Sequence, residues 1–234
     1  MPDFHHKTLI LGGGFVGLFT ALHLHRLECE YSRTLIDRNW RFVFKPLLYE
    51  LLTSEDNVEI IWPRYDEVLS GRDVTFVLDE IEKIDLEHRQ VITKTRLSYD
   101  YSYLVLGLGA TSGYFGVPGP NANTLPFRNA QDVAVLAEHL RKTLQIARQN
   151  KEKRSQYLTF AIVGGGAAGV ELAVTLADLL PEWYTLLSGD PSNINIVVLQ
   201  HGQEILGNLG NEKLRTSARK AMAKRAANLI KGAT

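Results

Sequence analysis

The chain has 234 residues, of which 45% are hydrophobic and 22% charged, enough for one large domain or two modest ones with a substantial buried core. Lys plus Arg and Asp plus Glu both number 26, and this zero formal net charge argues against nucleic acid as the main partner, because a phosphate backbone is met by a basic face. The one cysteine, Cys29, cannot form an intrachain disulfide or a Cys-x-x-Cys redox pair and cannot close a zinc site alone, which points to an intracellular compartment.

Residues 7–11 are a short apolar run ending in Gly12-Gly13-Gly14 and read as a buried strand, with neither a signal peptide before it nor any membrane-spanning run elsewhere in the chain. Residues 15–27 carry Val16, Leu18, Phe19 and Leu22 at helical spacing, and residues 32–36 read as a second strand stopped by Asp37. Strand, glycine turn, helix and strand make a βαβ unit, which implies a parallel sheet. Pro46 is expected to start a short helix, where its missing N–H costs nothing. Residues 74–78, 81–84 and 90–95 read together as a small antiparallel excursion, and residues 103–106 as a buried strand running into Gly107-Leu108-Gly109-Ala110.

Residues 113–126 are rich in Gly, Pro and Asn and read as a connection. Asn129 is placed to cap a helix over 131–148, and the polar stretch 151–156 reads as a solvated linker. The opening pattern then returns: a strand over 158–163, Gly164-Gly165-Gly166, a helix over 167–180 and a strand over 194–199. A further helix is expected over 211–226, and residues 228–234 are strand-like. The fold class is therefore α/β, tandem Rossmann-like three-layer dinucleotide-binding domains with the antiparallel excursion inserted; that the second domain is incomplete is implied only by resemblance to longer proteins.

Gly12-x-Gly14-x-x-Gly17 and Gly164-x-Gly166-x-x-Gly169 both fit G-x-G-x-x-G between a predicted strand and a predicted helix. The first glycine permits the tight turn, the second lets the backbone approach a pyrophosphate, and the third lets helix and strand pack closely. The helix N-terminus then offers N–H groups and a partial positive charge to the phosphates. Asp37 ends the second strand of the first unit, where a carboxylate accepts from a ribose 2′-hydroxyl and repels a 2′-phosphate, so that site suits FAD or NAD. Gln200, followed by His201, takes the equivalent place in the second unit; a neutral amide does not strongly exclude a phosphate, so NADH and NADPH both stay open there.

Two such units in tandem resemble the two-dinucleotide flavoprotein superfamily. Within it the chain is most similar to the type II NADH dehydrogenases, single-subunit NADH:quinone oxidoreductases. The residues that carry the likeness are 9–17, Phe44-Lys45-Pro46-Leu47-Leu48-Tyr49-Glu50, 103–111, and 163–173 with Gly169-Val170-Glu171-Leu172-Ala173. The resemblance implies FAD on the first unit, residues 1–122, and NADH or NADPH on the second, residues 123–234. Gly12, Gly13, Gly14, Phe15, Val16, Gly17, Asp37 and Arg38 would then contact FAD. Pro46 and Leu47 would lie against the flavin ring, Ile81 would face the adenine through its backbone, and Gly109 with Ala110 would form a second contacting turn. Gly164, Gly165, Gly166, Ala167, Gly169 and Gln200 would hold the nicotinamide nucleotide, and Glu171 would stand where nicotinamide, flavin and acceptor meet as the catalytic acidic residue. Gln200 departs from the Glu common at that position in NADH-using relatives, and Cys29 alone cannot relay electrons as the cysteine pairs of disulfide and sulfide:quinone reductases do.

The resemblance implies hydride transfer from NAD(P)H to FAD and electron delivery to a quinone, with no metal site. Relatives continue well past the second fingerprint, so the chain reads as the N-terminal part of a longer enzyme or as a truncated product that would retain FAD poorly. Membrane-surface association would come from the missing C-terminal part, on the cytoplasmic face of a membrane in the full-length enzyme, and a homodimer is left open. Two alternatives stand beside this reading: a ferredoxin-type or other diffusible acceptor, and a non-catalytic nucleotide-binding fragment.

Overall fold

The computed structural model describes residues 6–28, 31–53, 58–111, 113–114, 116–150, 152–207 and 209–232. Cys29 and the last two positions of the strand-like stretch at 228–234 lie outside them. The chain divides into two compact units, Met1–Leu48 with Ser54–Ala130, and Tyr49–Thr53 with Gln131–Thr234. The boundary expected at 122/123 thus falls at 130/131. Glycine and proline mark where a chain turns, but they do not say on which side the following residues pack.

The first unit begins with β1 (Lys7–Leu11), α1 (Phe15–Arg26) and β2 (Ser32–Asp37). A 3₁₀ helix follows over Lys45–Leu52, so the turn at Pro46 is tighter than an α-helix, and then come the short helices α2 (Val58–Ile61) and α3 (Tyr65–Val68). Next are β3 (Thr75–Leu78), β4 (Ile81–Asp85), β5 (Gln90–Thr93), β6 (Ser98–Asp100), β7 (Tyr103–Leu106) and the one-turn α4 (Pro120–Asn123) inside the expected connection. One sheet has the order β3-β2-β1-β7, all parallel, and the other is β4-β5-β6, antiparallel.

The apolar run of β1 has no alternation because both of its faces are covered. Ile10 and Leu35 face Leu18 and Ala21 of α1 together with Phe42 and Tyr65, whereas Leu9, Leu11 and Ile36 face Val91 of the antiparallel sheet. Three layers result, helix, parallel sheet and antiparallel sheet.

The antiparallel excursion is smaller and later than the sequence suggested. Residues 74–78 supply β3, the parallel edge of the first sheet, and the third antiparallel strand is β6, too short to stand out by pattern. The chain changes sheets at Asp79. Its N–H continues the parallel ladder onto the Asp37 carbonyl at 2.9 Å, while its carboxylate accepts from the Glu80 N–H at 2.7 Å and from the Thr95 hydroxyl. The Thr95 hydroxyl, then that of Thr93, hold the Asp79 carboxyl below its ordinary value of 3.8. A lowered carboxyl contributes stability above its unfolded pKa and loses it as pH falls through the folded value. Asp79→Asn is therefore expected to flatten the acid limb of the pH–stability curve below about pH 4, read from urea midpoints across pH, and an unchanged limb would mean that Asp79 plays no part in acid unfolding.

The second unit contains α5 (Ala130–Gln149) after its first residue, then α6 (Arg154–Tyr157), β8 (Thr159–Val163) and α7 (Ala167–Leu186). A 3₁₀ turn at Pro191–Asn193, β9 (Asn195–Gln200), α8 (Glu212–Lys224) and β10 (Ala227–Lys231) complete it. Its sheet, β10-β9-β8, is parallel throughout and repeats the β3-β2-β1 order of the first unit. α5 exists because Val133, Ala137, Leu140, Leu144 and Ala147 form a buried stripe at helical spacing. The polar stretch 151–156, read as a linker, contains the start of α6.

α7 runs past its expected end at 180, straight through Pro181. One missing N–H is outweighed there by continued burial of Leu179, Leu180 and Tyr184; the helix ends instead at Leu186, and the chain turns away through Ser188, whose φ is +58°, and Gly189, whose N–H closes on the Tyr184 carbonyl at 2.9 Å. No helix among the described residues is long and apolar enough to cross a membrane.

Candidate functional site

The two glycine turns have one geometry. After β1, Gly12 adopts φ +90° and its N–H donates to the Ile36 carbonyl at 2.8 Å; after β8, Gly164 adopts φ +103° and its N–H donates to the Leu199 carbonyl at 2.8 Å. A Cβ on Gly17 would lie 1.8 Å from the Gly12 carbonyl oxygen, and one on Gly169 would lie 1.9 Å from that of Gly164. These are the close helix-to-turn contacts that only hydrogen allows. α1 and α7 start from glycine N-caps, Gly14 and Gly166, with no side chain accepting from their first turns. α8 is different: Asn211 Oδ1 accepts the Leu214 N–H at 3.2 Å. The first-turn N–H groups of α1 and α7 are thus offered to an anion, and the residues at both turns fit a diphosphate.

The middle glycine of each turn is tied to the end of the second strand. The Gly13 N–H donates to Asp37 Oδ2 at 2.6 Å, and the Gly165 N–H donates to Gln200 Oε1 at 2.7 Å. Asp37 Oδ1 also accepts from the Asn39 N–H at 2.7 Å, which fixes the carboxylate at the strand end. Around these turns the strand ends leave apolar side chains open, Leu78, Leu106 and Val163, the last 73% exposed. Phe15 and Val16 are exposed at the start of α1, and Ala167 is the first residue of α7. Ligands of open parallel sheets bind beyond the carboxyl ends of the strands, which is where these surfaces lie.

The other expected site residues are more dispersed. Arg38 is exposed, directly after Asp37. Pro46 is exposed and Leu47 half-buried in the 3₁₀ helix. Ile81 opens β4 and packs its side chain on the Leu9, Leu11, Ile36 and Val91 cluster, which leaves its backbone as the part able to face a ligand. Gly109, with φ +75°, and exposed Ala110 follow β7. Glu171 lies in the second turn of α7, an exposed residue whose carboxyl is nevertheless partly desolvated and so raised above 4.5. Tyr49, from the 44–50 segment, is raised by burial and then by the charges of Glu50 and Glu171, so its phenol shares the electrostatic surroundings of that carboxyl within the second unit.

Three supporting residues escaped the sequence reading. The buried Tyr65 hydroxyl donates to the Gly13 carbonyl at 2.7 Å, and in the second unit the Leu206 N–H does the same for the Gly165 carbonyl at 2.7 Å. Gly107 closes the first turn from β7: its N–H donates to the Leu11 carbonyl at 2.7 Å, and a Cβ there would lie 3.1 Å from both the Gly12 oxygen and the Gly17 nitrogen. Only Gly107 left a signal, as a glycine directly after an apolar strand.

Residues 6–234 match the model of a protein family described as pyridine nucleotide-disulphide oxidoreductase. The chain is 36% identical over 214 residues to demethylphylloquinone reductase NdbB of Synechocystis sp., covering 88% of this chain and 49% of that protein. It is 35% identical over 193 residues to the alternative NAD(P)H-ubiquinone oxidoreductase C1 of Arabidopsis thaliana, covering 75% and 36% respectively. Among solved structures, NDH2 from Plasmodium falciparum in complex with NADH superposes with a TM-score of 0.84 at 21% identity, over 97% of this chain and 48% of that one, a likeness of fold. The chain spans about half the length, or less, of these relatives.

Proposed function

We propose, from the premise that this chain belongs to the pyridine nucleotide-disulphide oxidoreductase family, that it carries the nucleotide-binding part of an FAD-dependent NAD(P)H:quinone oxidoreductase. The observation that carries the proposal is the duplicated turn. Two similarly built diphosphate cradles, one ending in a carboxylate and the other in an amide, suit two different dinucleotides in one chain. In this reading the first unit takes FAD and the second NADH or NADPH.

FAD, when bound, supplies a centre that accepts a hydride and passes electrons on. The chain's own residues bind and orient. The N–H groups of α1 and α7 meet the diphosphates, and Asp37 accepts from the ribose of the first nucleotide. Pro46 and Leu47 offer an apolar surface to the flavin ring, and Gly109 with Ala110 a second backbone contact. Ile81, its side chain packed in the core, would meet the adenine only through its backbone. The names of the relatives, a demethylphylloquinone reductase and an NAD(P)H-ubiquinone oxidoreductase, support a quinone as acceptor. Association with the inner face of a membrane and pairing into a homodimer belong to the same reading by resemblance.

Glu171 is the residue we assign to proton delivery at a quinone oxygen. Its raised pKa keeps the carboxyl protonated to higher pH than an ordinary glutamate, and the rate should fall as pH rises through that value. Glu171→Gln is expected to lower quinone reduction by roughly 10²-fold and to remove this ionisation from the pH profile, with hydride transfer from NADH measured separately by anaerobic flavin bleaching. An unaltered pH profile would remove Glu171 from the chemistry. For the function as a whole, FAD and NAD⁺ are titrated into the protein by calorimetry. Two independent sites are expected, with FAD the more weakly held; where flavin is retained, bleaching by NADH and reoxidation by a soluble quinone separate an oxidoreductase from a non-catalytic fragment, and failure of both nucleotides to bind would overturn the assignment.

A further inference from the structure

We infer that Arg41 is a positioning residue for the flavin: its fork onto Glu59 and the Trp62 carbonyl fixes where Pro46 and Leu47 stand relative to the first glycine turn. The inference rests on the reading that the first unit takes FAD with those two residues against its ring, and it adds what holds them there.

The segment that carries Pro46 and Leu47 leaves the glycine turn and comes back to it. One arm starts at Asp37, which accepts the Gly13 N–H at 2.6 Å, and the other ends at Tyr65, whose hydroxyl donates to the Gly13 carbonyl at 2.7 Å. Beyond these anchors residues 40–44 run antiparallel to 61–65, with Arg41 opposite Arg64. The Tyr65 N–H donates to the Trp40 carbonyl at 3.2 Å, the Phe42 N–H to the Pro63 carbonyl at 2.9 Å and the Phe44 N–H to the Ile61 carbonyl at 3.1 Å. Pro46 and Leu47 lie just past the last of these bonds, in the 3₁₀ helix.

A two-stranded ribbon of this length is marginal in water by itself. Phe42, Phe44 and Tyr65 anchor it in the core of the unit, and Arg41 crosses from one arm to the other. Its Nη1 donates to Glu59 Oε2 at 2.8 Å and to the Trp62 carbonyl at 2.6 Å, and its Nη2 donates to Glu59 Oε1 at 3.0 Å. The guanidinium carbon also lies 4.4 Å from the centre of the Trp40 ring and 5.4 Å from that of Trp62. The Arg41 side chain is 11% exposed and that of Glu59 65%, so the cation is the enclosed partner.

An exposed ion pair by itself adds little to stability. A planar guanidinium held by a carboxylate, a carbonyl and two indole faces does something else, because it sets the spacing of the two arms. A lysine keeps the charge but has neither the fork nor the flat face. Loosening the arms moves Pro46 and Leu47, whereas Gly12, Gly14, Gly17, Asp37 and Ile81, which would meet the adenylate half of the nucleotide, keep their own supports in the parallel and antiparallel sheets. The flavin end is therefore the end that depends on Arg41.

Titration of the whole chain with FAD, and with ADP read by its displacement of FAD, tests this without reference to turnover. Arg41→Ala is expected to weaken FAD by roughly tenfold and to change the visible circular dichroism of the bound flavin, while ADP affinity stays within about twofold. Arg41→Lys should recover only part of the loss, and full recovery would show that the fork is not what positions the segment. Retained ADP binding shows that each variant has folded. Equal weakening of FAD and ADP, or unchanged FAD affinity and flavin dichroism in Arg41→Ala, overturns the inference and leaves the nucleotide site standing. Wild-type protein that binds neither FAD nor ADP overturns the site itself, and the inference with it.

Discussion

Gly169→Ala loses NAD(P)⁺ binding by more than about tenfold while FAD binding to the first unit is kept, and Gly17→Ala does the reverse. Each added Cβ would lie within 2 Å of a carbonyl oxygen, 1.9 Å from Gly164 and 1.8 Å from Gly12. Both partners are backbone, so no rotamer change relieves the contact. Either the helix retreats from the strand or the carbonyl rotates, and both movements displace the N–H groups that meet the diphosphate. Overpacking of this kind costs about 1–3 kcal/mol, occasionally more, and a backbone contact belongs at the upper end. Calorimetry with each nucleotide, alongside urea unfolding, checks the result. If one substitution removed both nucleotides without unfolding the chain, the assignment of one nucleotide to each unit would be wrong.

Tyr65→Phe is expected to cost about 1–3 kcal/mol and to weaken FAD binding, although residue 65 is 52 positions from the turn it supports. Its ring, 2% exposed, stacks on Phe76 with centroids 4.5 Å apart, so the phenylalanine keeps the packing and loses only the hydrogen bond to Gly13. The Gly13 carbonyl is then left without its donor at the turn where Asp37 holds the N–H of the same residue. Burial, then the charge of Asp37, push the phenol far above its ordinary value, so it stays a donor across the whole working pH range. Tyr65→Ala also removes the ring and should cost about 3–5 kcal/mol. Urea unfolding of both variants separates the two terms. A loss below about 0.5 kcal/mol in Tyr65→Phe would show that the carbonyl is satisfied in another way.

The candidate site was legible where its constraint is local. Gly12, Gly14 and Gly17, and likewise Gly164, Gly166 and Gly169, act within six consecutive residues, from the positive-φ turn after the strand to the first turn of the helix. Asp37 and Gln200 were found because each follows an apolar strand directly. Tyr65 and Leu206 were not, since nothing near them in the chain refers to the glycine whose carbonyl they satisfy. Pro181 shows the opposite failure: a strong local stop signal was overridden by the burial of Tyr184 one turn later. Residues 74–78 carried a correct strand signal attached to the wrong sheet.

By itself the sequence determined that this chain repeats a strand–turn–helix–strand unit built to meet a diphosphate, because hydrophobic period and glycine spacing are written within a few residues. Only the tertiary structure decided which strands are neighbours. It set Leu78 beside Asp37 and Lys231 beside Gln200, and so gave two similar turns different side chains at the ends of their second strands. An apolar strand states that it will be buried. Its partner is chosen by packing among residues far apart in the chain, and the character of the second site depends on that choice.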